Sequence, residues 1–271
     1  SVKDRGNYRE AINDTNEWLV NFFRVLKDEV KSYELARRVL LTPYSRSEYG
    51  LTKTIMKNDF NSADEVEAAW AFFVNIRVSF AAKLFSGWGF SVYGVNHAIS
   101  NSPSIDLLPF AARLRGVYVD NLDALSFIKN WDSPQTFFFC DPPYPETEQG
   151  HYSGYTKEDF RNLCETLDKS SGSFILTCYP FDGIEQMLPK GAEIFKFRRF
   201  ASSQKKGNKE HLKKDSQEEI DSCYREEWIV RRMAKVEPRD EIKKLYAIGA
   251  YDCFTGEKFR AGPNGEVLKV T

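Results

Sequence analysis

The chain has 271 residues, of which 42% are hydrophobic, 28% are charged and 14% are aromatic, and its net charge is −1. This length suits one large domain, or one domain with a sizeable insertion, and is enough to bury a core. The balanced charge excludes a global basic field that attracts nucleic acid, so any DNA-binding surface has to come from local clusters of basic residues.

The cysteines and the apolar runs exclude further classes of protein. The five cysteines are far apart and form no Cys-x-x-Cys pair, which favours reduced thiols over a disulfide framework or a zinc site. No apolar run approaches the length of a membrane span, and no signal peptide opens the chain. We therefore expect a cytoplasmic protein with no metal site and no membrane contact.

The first third of the chain is predicted to be mainly helical. Apolar residues recur at helical spacing over residues 18–26, after three natural N-capping residues at 14–16. Residues 32–95 are typical of further helices, with a break at 42–46. The segment 94–109 is rich in Asn, Ser and Pro and is predicted to be a loop.

From residue 116 onwards, predicted strands and helices alternate. The apolar strand at 136–140 is expected to be buried in a parallel sheet. Thr156 and Asp159 have the spacing of a capping box. The alternation predicts an α/β doubly wound sheet with the helical segment as an insertion. In chain order, the predicted elements are strand 116–119, helix 124–130, strand 136–140, helix 156–168, and strands 173–178, 192–200 and 225–232.

A four-residue motif, Asp141-Pro142-Pro143-Tyr144, directly follows the strand at 136–140. In an open parallel sheet, ligands bind at the carboxyl ends of strands. The two prolines make a stiff turn with an exposed carbonyl at Pro142, and this carbonyl and Asp141 can both accept hydrogen bonds from one amine. The amine then keeps its lone pair for an electrophilic methyl group, while Tyr144 offers a flat face to a base that has left the duplex. The alternative is a proline turn with a chance acidic residue.

The motif and its surroundings resemble the Dam-like family of adenine-specific DNA methyltransferases over most of the chain. The segments that look like family elements include residues 11–26 and 41–46. The resemblance implies a Rossmann-like class I methyltransferase sheet, an S-adenosylmethionine cofactor and a double-stranded DNA substrate. It implies that Asp14 holds the ribose hydroxyls of the cofactor, that Asp123 lies near the cofactor's adenine, and that Asp141 touches the cofactor as well as the target amine. For Asp123, a helix N-cap is the alternative role, and Asp120 is a less favoured candidate.

One element of the family pattern is missing. Family members begin with a lysine-containing segment and a Phe-x-Gly-x-Gly loop that wraps the methionine part of the cofactor, and this sequence begins after that point. Residues 85–89 imitate the loop but follow a helical run, so they lack its strand–turn–helix context. Residues 252–256 follow a plausible strand, but Lys258 replaces the next glycine, and the surroundings are typical of hairpin turns.

The catalytic domain is therefore expected to be incomplete. By resemblance it comprises residues 1–34 and 112–271, and residues 35–111 form a mainly helical target-recognition insertion. The absent strand is implied to lie between the strand that ends near Asp14 and the one that ends at Cys140, which would leave two rows of backbone groups unpaired. We expect a second polypeptide to supply this strand and the Phe-x-Gly-x-Gly loop. A truncated chain or an upstream segment is the alternative.

A charged segment between the last two predicted strands is a candidate for contact with DNA phosphates. A solvated loop is the alternative, but the segment connects two strands near the proposed active face. Recognition of the DNA sequence is expected in the insertion, around Arg46 and residues 77–96, on the strength of the resemblance. The loop 145–155 either closes over the extruded base or is an ordinary surface loop. The candidate phosphate-binding residues are Lys196, Arg198, Arg199, Lys205, Lys206 and Lys209, followed by Lys213 and Lys214.

The sequence thus predicts methyl transfer from S-adenosylmethionine to the exocyclic amine of adenine in DNA, in a prokaryotic or phage-encoded restriction–modification or phage system. Methylation of the exocyclic amine of cytosine stays open as an alternative. So does a DNA-binding specificity subunit that has lost catalysis, although such a subunit does not need the intact Asp141 motif. A nuclease has no support, because no paired acidic and lysine motif has convincing spacing.

Overall fold

The computed structural model describes residues 9–58, 60, 63–80, 83–89, 105–147, 154–200 and 224–234, and three short strands between residues 250 and 270. These residues form seven α-helices and nine β-strands. The helices are α1 (Glu17–Lys27), α2 (Glu29–Leu40), α3 (Arg46–Lys57), α4 (Glu65–Val78), α5 (Leu108–Leu114), α6 (Ala124–Trp131) and α7 (Lys157–Lys169). The strands are β1 (Glu10–Asn13), β2 (Val117–Asp120), β3 (Phe137–Cys140), β4 (Ser173–Cys178), β5 (Glu193–Phe200), β6 (Tyr224–Arg232), β7 (Ala250–Tyr251), β8 (Lys258–Ala261) and β9 (Val267–Val270).

The predicted helical segment 32–95 is confirmed as far as Val78, where α4 ends, and has its own core around α4. Residues 83–89 are not helical, and residues 90–95 lie outside the described residues. Apolar residues cover α4 on all sides, as expected of a helix surrounded by others, and α1, α2 and α3 pack against it. Asn16 caps α1 and Ser45 caps α3, so the predicted break at 42–46 separates α2 from α3. The buried Trp70 indole donates to Thr42 Oγ1 (2.7 Å), which ties this break to α4. α1 shares this core with α4, so the core includes residues on both sides of residue 35, where the domain boundary was predicted. The boundary itself stays a prediction.

The strands predicted after residue 136 form a four-stranded sheet of order β3-β4-β6-β5. β3 and β4 are parallel, and β6 is antiparallel to both β4 and β5. The helix α7 packs on this sheet through Phe160 and Leu167, against Phe174 of β4. The predicted capping box of Thr156 and Asp159 is present at its start. These elements confirm a mixed α/β fold.

Two further sheets complete the described strands. β1 and β2 form a parallel pair, and β7, β8 and β9 form an antiparallel sheet, as expected for strands joined by hairpin turns. Residues 94–104 of the predicted loop lie outside the described residues. The prediction is wrong at its end, because α5 begins at Leu108 and Pro109 lies in its first turn, where a proline has no hydrogen bond to lose. In the described part of the chain, no helix combines the length and the apolar character that crossing a membrane requires.

The expectation that the strand at 136–140 is buried is correct for only one face of β3. Phe138 is 5% exposed and packs into the core beneath the sheet, whereas Phe137 and Phe139 are 53% and 67% exposed. Successive side chains in a strand point to opposite faces, so a helix that covers one face leaves alternate residues uncovered. All three phenylalanines border the cavity described next.

Candidate active site

A cavity of about 2080 Å³ extends along β1 and β3 and reaches the turns that follow β1, β3 and β4. This volume exceeds the range of about 300–1,000 Å³ that is typical of small-molecule sites. Side chains from both the β1-β2 pair and the four-stranded sheet line it. The ends of parallel strands therefore meet at one concave surface, where ligands bind in α/β folds.

The motif residues Asp141, Pro142, Pro143 and Tyr144 all line this cavity, directly after β3. The Asp141 side chain is exposed, and its Oδ1 atom accepts a hydrogen bond from the Tyr144 hydroxyl (2.9 Å). It also accepts one from Thr177 Oγ1 (2.5 Å), on the neighbouring strand β4. A carboxylate has about four acceptor positions, so Asp141 keeps acceptor capacity toward the cavity.

The Tyr144 hydroxyl lies between two carboxylates. Its oxygen is 2.9 Å from Asp141 Oδ1 and 3.2 Å from Glu227 Oε1 on β6. Burial raises the pKa of Tyr144 well above its ordinary value, so the hydroxyl stays protonated at neutral pH and acts as a donor. Its ring packs against that of Tyr179, with the ring centroids 4.3 Å apart. Tyr144 is thus held by polar contacts at its tip and by an aromatic contact along its side.

Asp14 and Asp123, predicted to bind the cofactor, line the same cavity. Asp14 follows β1 and accepts a hydrogen bond from the backbone N–H of Asn16 (2.7 Å). Asp123 is the N-cap of α6 and accepts from the Ser126 N–H (2.9 Å), so the alternative role foreseen for it is present. Hydrogen bonds from Ser126 lower the pKa of Asp123. A carboxylate has about four acceptor positions, so it can hold a turn or a helix start and also accept from a ligand.

Side-chain amides tie together the two turns that carry these carboxylates. The Asn13 amide donates to the Leu122 carbonyl and accepts from the Leu122 N–H, both at 2.9 Å. Asn121 Nδ2 donates to the backbone carbonyl of Asp14 (2.8 Å). Asp120, the less favoured cofactor candidate, instead accepts from a tryptophan indole at 3.3 Å and does not line the cavity.

Three thiols, here called the buried thiols, lie in or at the edge of the core beneath the catalytic turn. They are Cys140 at the end of β3, Cys164 on α7 and Cys178 at the end of β4, and none is in a disulfide. Burial raises the pKa of each to about 12. All three are therefore neutral at physiological pH, as expected of packing residues.

Comparison with protein families identifies the chain. Residues 2–197, well over half of its length, match the family described as D12 class N6 adenine-specific DNA methyltransferase. The chain belongs to this family. The match confirms the resemblance to Dam-like adenine methyltransferases that the Asp141 motif indicated. No curated protein matches the methyltransferase.

The basic residues predicted to contact DNA have different surroundings in the methyltransferase. Arg46 begins α3, and its guanidinium lies over the Trp88 ring (4.6 Å). Lys196 on β5 is paired with Glu185 (3.4 Å). Arg198 and Arg199 continue β5. The remaining candidates lie outside the described residues: Lys205, Lys206 and Lys209, here called the lysine cluster, and Lys213 and Lys214.

The two segments that imitate a cofactor loop lack its context in the methyltransferase. Residues 85–89 come after α4 rather than a strand, as predicted. The hydroxyls of Tyr44 and Tyr49 donate to backbone carbonyls of this segment and fasten it to α3 and to the connection before it. Residues 252–256 lie outside the described residues, between the antiparallel strands β7 and β8.

Sequence reasoning overlooked three side chains of the methyltransferase that contact the catalytic turn: Thr177, Tyr179 and Glu227. Thr177 lies near the end of β4, and Tyr179 follows this strand. The rule that ligands bind at the carboxyl ends of parallel strands, which selected Asp141, would therefore have selected both residues. Glu227 lies on β6, whose position beside β4 depends on non-local strand pairing. The local sequence carries no signal for that pairing.

Proposed function

We propose that the chain transfers the methyl group of S-adenosylmethionine to the exocyclic amine of an adenine extruded from double-stranded DNA. The proposal rests mainly on the position of the Asp141–Tyr144 turn after β3, on a cavity that Asp14 and Asp123 also line. The family supports adenine, rather than cytosine, as the methylated base. A base has to leave the duplex to reach such a turn, because its amine is enclosed in the base stack.

The residues around the cavity fit the proposed cofactor. Asp14 and Asp123 offer carboxylate acceptors to ribose hydroxyls and to an adenine amine, and their negative charge suits a sulfonium cation. Phe127 and the exposed phenylalanines of β3 provide apolar surface for the remainder. When bound, S-adenosylmethionine supplies an electrophilic methyl group on its sulfonium sulfur.

Asp141 and Pro142 then prepare the target amine. The Asp141 carboxylate and the Pro142 carbonyl accept hydrogen bonds from the two N–H groups of the adenine amine. These hydrogen bonds orient the nitrogen lone pair toward the methyl group. Tyr144 stacks on the base and holds it in the turn. Asp141 would stabilise the positive charge that develops on the target nitrogen and would accept the proton that leaves it.

We also propose that a second polypeptide completes the site. Within the described residues, β1 is hydrogen-bonded to β2 alone and β3 to β4 alone, and both β1 and β3 border the cavity. The cavity is larger than a typical small-molecule site. An added strand would pair with both edges, and it could bring a Phe-x-Gly-x-Gly loop to the cofactor. An upstream segment of the same polypeptide would meet the same need.

Two measurements on one preparation test these proposals. Calorimetry compares S-adenosylmethionine binding by the purified chain alone and together with any co-purifying or neighbouring-gene protein. Binding only in the presence of the second protein supports a divided site, and tight binding by the chain alone contradicts it. Nucleoside mass spectrometry of DNA treated with the binding-competent protein should detect N6-methyladenine. Methylcytosine, or no modified base, would contradict the proposed reaction, and DNA binding without any product would favour a specificity subunit.

A further inference from the structure

The orientation of the Asp141 carboxylate is set by hydroxyl donors on two elements. Asp141 Oδ1 accepts from Thr177 Oγ1 on β4 (2.5 Å) and from the Tyr144 hydroxyl (2.9 Å). Cys140 pairs with Leu176 in the register of β3 and β4, so Thr177 is the β4 residue level with the start of the catalytic turn. The contact with Thr177 therefore follows from the pairing of the two strands.

These donors leave the second carboxylate oxygen of Asp141 for the cavity. The terminal torsion of an aspartate is broad, so the carboxylate of an exposed side chain has no strongly preferred rotation of its own. Two donors on one oxygen hold that oxygen against β4. The other oxygen then has one preferred position, and a fixed acceptor is what a bound amine requires.

The two donors differ in how firmly they are committed to Asp141. A tyrosine hydroxyl has one proton, and that of Tyr144 has a second carboxylate acceptor, Glu227 Oε1, at 3.2 Å. The Thr177 hydroxyl lies 2.5 Å from Asp141 Oδ1 and 3.4 Å from the Cys140 carbonyl, so the carboxylate is much the closer of these two acceptors. Thr177 is thus the donor that remains when Tyr144 turns to Glu227.

We propose that Thr177 is a positioning residue for the reaction: its hydroxyl fixes the rotation of the Asp141 carboxylate so that one oxygen faces the target amine. This role rests on the proposed function of Asp141. It predicts that loss of the Thr177 hydroxyl lowers the rate of methyl transfer much more than the affinities for cofactor and DNA, because Thr177 contacts the catalytic turn through Asp141 and Tyr144 and does not itself line the cavity.

The variants Thr177→Val and Thr177→Ser test this role in the complete, active enzyme. Valine keeps the branched shape that suits a strand but has no hydroxyl, and serine keeps the hydroxyl without the methyl group. We expect T177V to lower kcat by roughly 10- to 100-fold, since a hydrogen bond to a charged group is lost. The KM values for S-adenosylmethionine and DNA should stay within about twofold of wild type, and T177S should restore most of kcat.

The outcomes separate this role from the proposed function. A T177V enzyme with the wild-type kcat would overturn the positioning role, and so would equal losses of kcat in T177V and T177S. The proposed methylation of adenine would still stand in both cases, as long as the wild-type enzyme makes N6-methyladenine. Failure of the wild-type enzyme to make N6-methyladenine would overturn both. Urea unfolding of both variants shows whether a loss of kcat comes from a damaged fold. If the free energy of unfolding of T177V were below that of T177S by more than the loss of one hydrogen bond explains, a structural role would replace the positioning role.

Discussion

Replacing Asp141 by alanine should abolish most methylation without unfolding the protein. The carboxylate is exposed, and it accepts hydrogen bonds from two hydroxyls that have other acceptors nearby, Glu227 for Tyr144 and the Cys140 carbonyl for Thr177. The free energy of unfolding should therefore change by no more than about 1 kcal/mol. Removing a hydrogen bond between the target amine and a carboxylate costs about 1.5–3 kcal/mol, or roughly 10- to 150-fold in kcat.

The assay measures kcat from N6-methyladenine formed in DNA, quantified by mass spectrometry, alongside urea unfolding of the same preparations. Asp182→Ala is the matched control, because Asp182 is an exposed carboxylate in the turn after β4 that does not line the cavity. D182A should keep kcat within about twofold of wild type. If D141A retained more than one third of the wild-type kcat while D182A behaved normally, the role assigned to Asp141 would be refuted.

Three further predictions concern stability and DNA binding. Gly172→Ala should destabilise the fold by roughly 1–3 kcal/mol in urea unfolding, because a Cβ atom would lie 2.8 Å from the Thr136 backbone carbonyl. The control Gly87→Ala, with no atom within 4 Å of its Cβ, should be nearly neutral, and equal effects would contradict the steric argument. Burial raises the pKa of the buried thiols from 9.0 to about 12. Above pH 9 these thiols therefore lose their protons in the unfolded chain but keep them in the folded state. Stability should therefore fall between pH 9 and about pH 12, by up to about 1.4 kcal/mol per pH unit for each thiol, and urea titrations that give a flat profile would argue against this burial. Replacing the lysine cluster by glutamines should weaken binding to all DNA sequences alike. The slope of the logarithm of the binding constant against the logarithm of the salt concentration should become shallower by about 0.9 for each phosphate that is no longer neutralised, which fluorescence anisotropy at several salt concentrations can measure. A sequence-selective loss would speak against binding to phosphates.

Local signals in the sequence were sufficient for most of the elements and for the catalytic turn. The capping box at Thr156 fixed the start of α7, and the apolar run before Asp141 located β3 and the turn after it. Such features depend on neighbouring residues, whose chemistry is visible in the sequence.

The remaining features depend on contacts between distant segments. The exposure of Phe139 could not be read from an apolar run, because burial depends on which layers cover a strand. The contact of Glu227 with Tyr144 requires β6 to lie beside β4, and strand order is not encoded locally. The sequence predicted either a helix cap or a cofactor contact for Asp123, and it could not show that the capping position also lines the cavity beside β3.

The position of β6 also determines how long a fragment must be to fold. The family match ends at residue 197, within β5, but β5 is joined to its sheet only through β6 among the described residues. A fragment cut at the family boundary would lose the attachment of β5 and expose the edge of β4 beside the catalytic turn. A fragment that keeps the four-stranded sheet intact therefore has to extend past the family boundary, at least through β6.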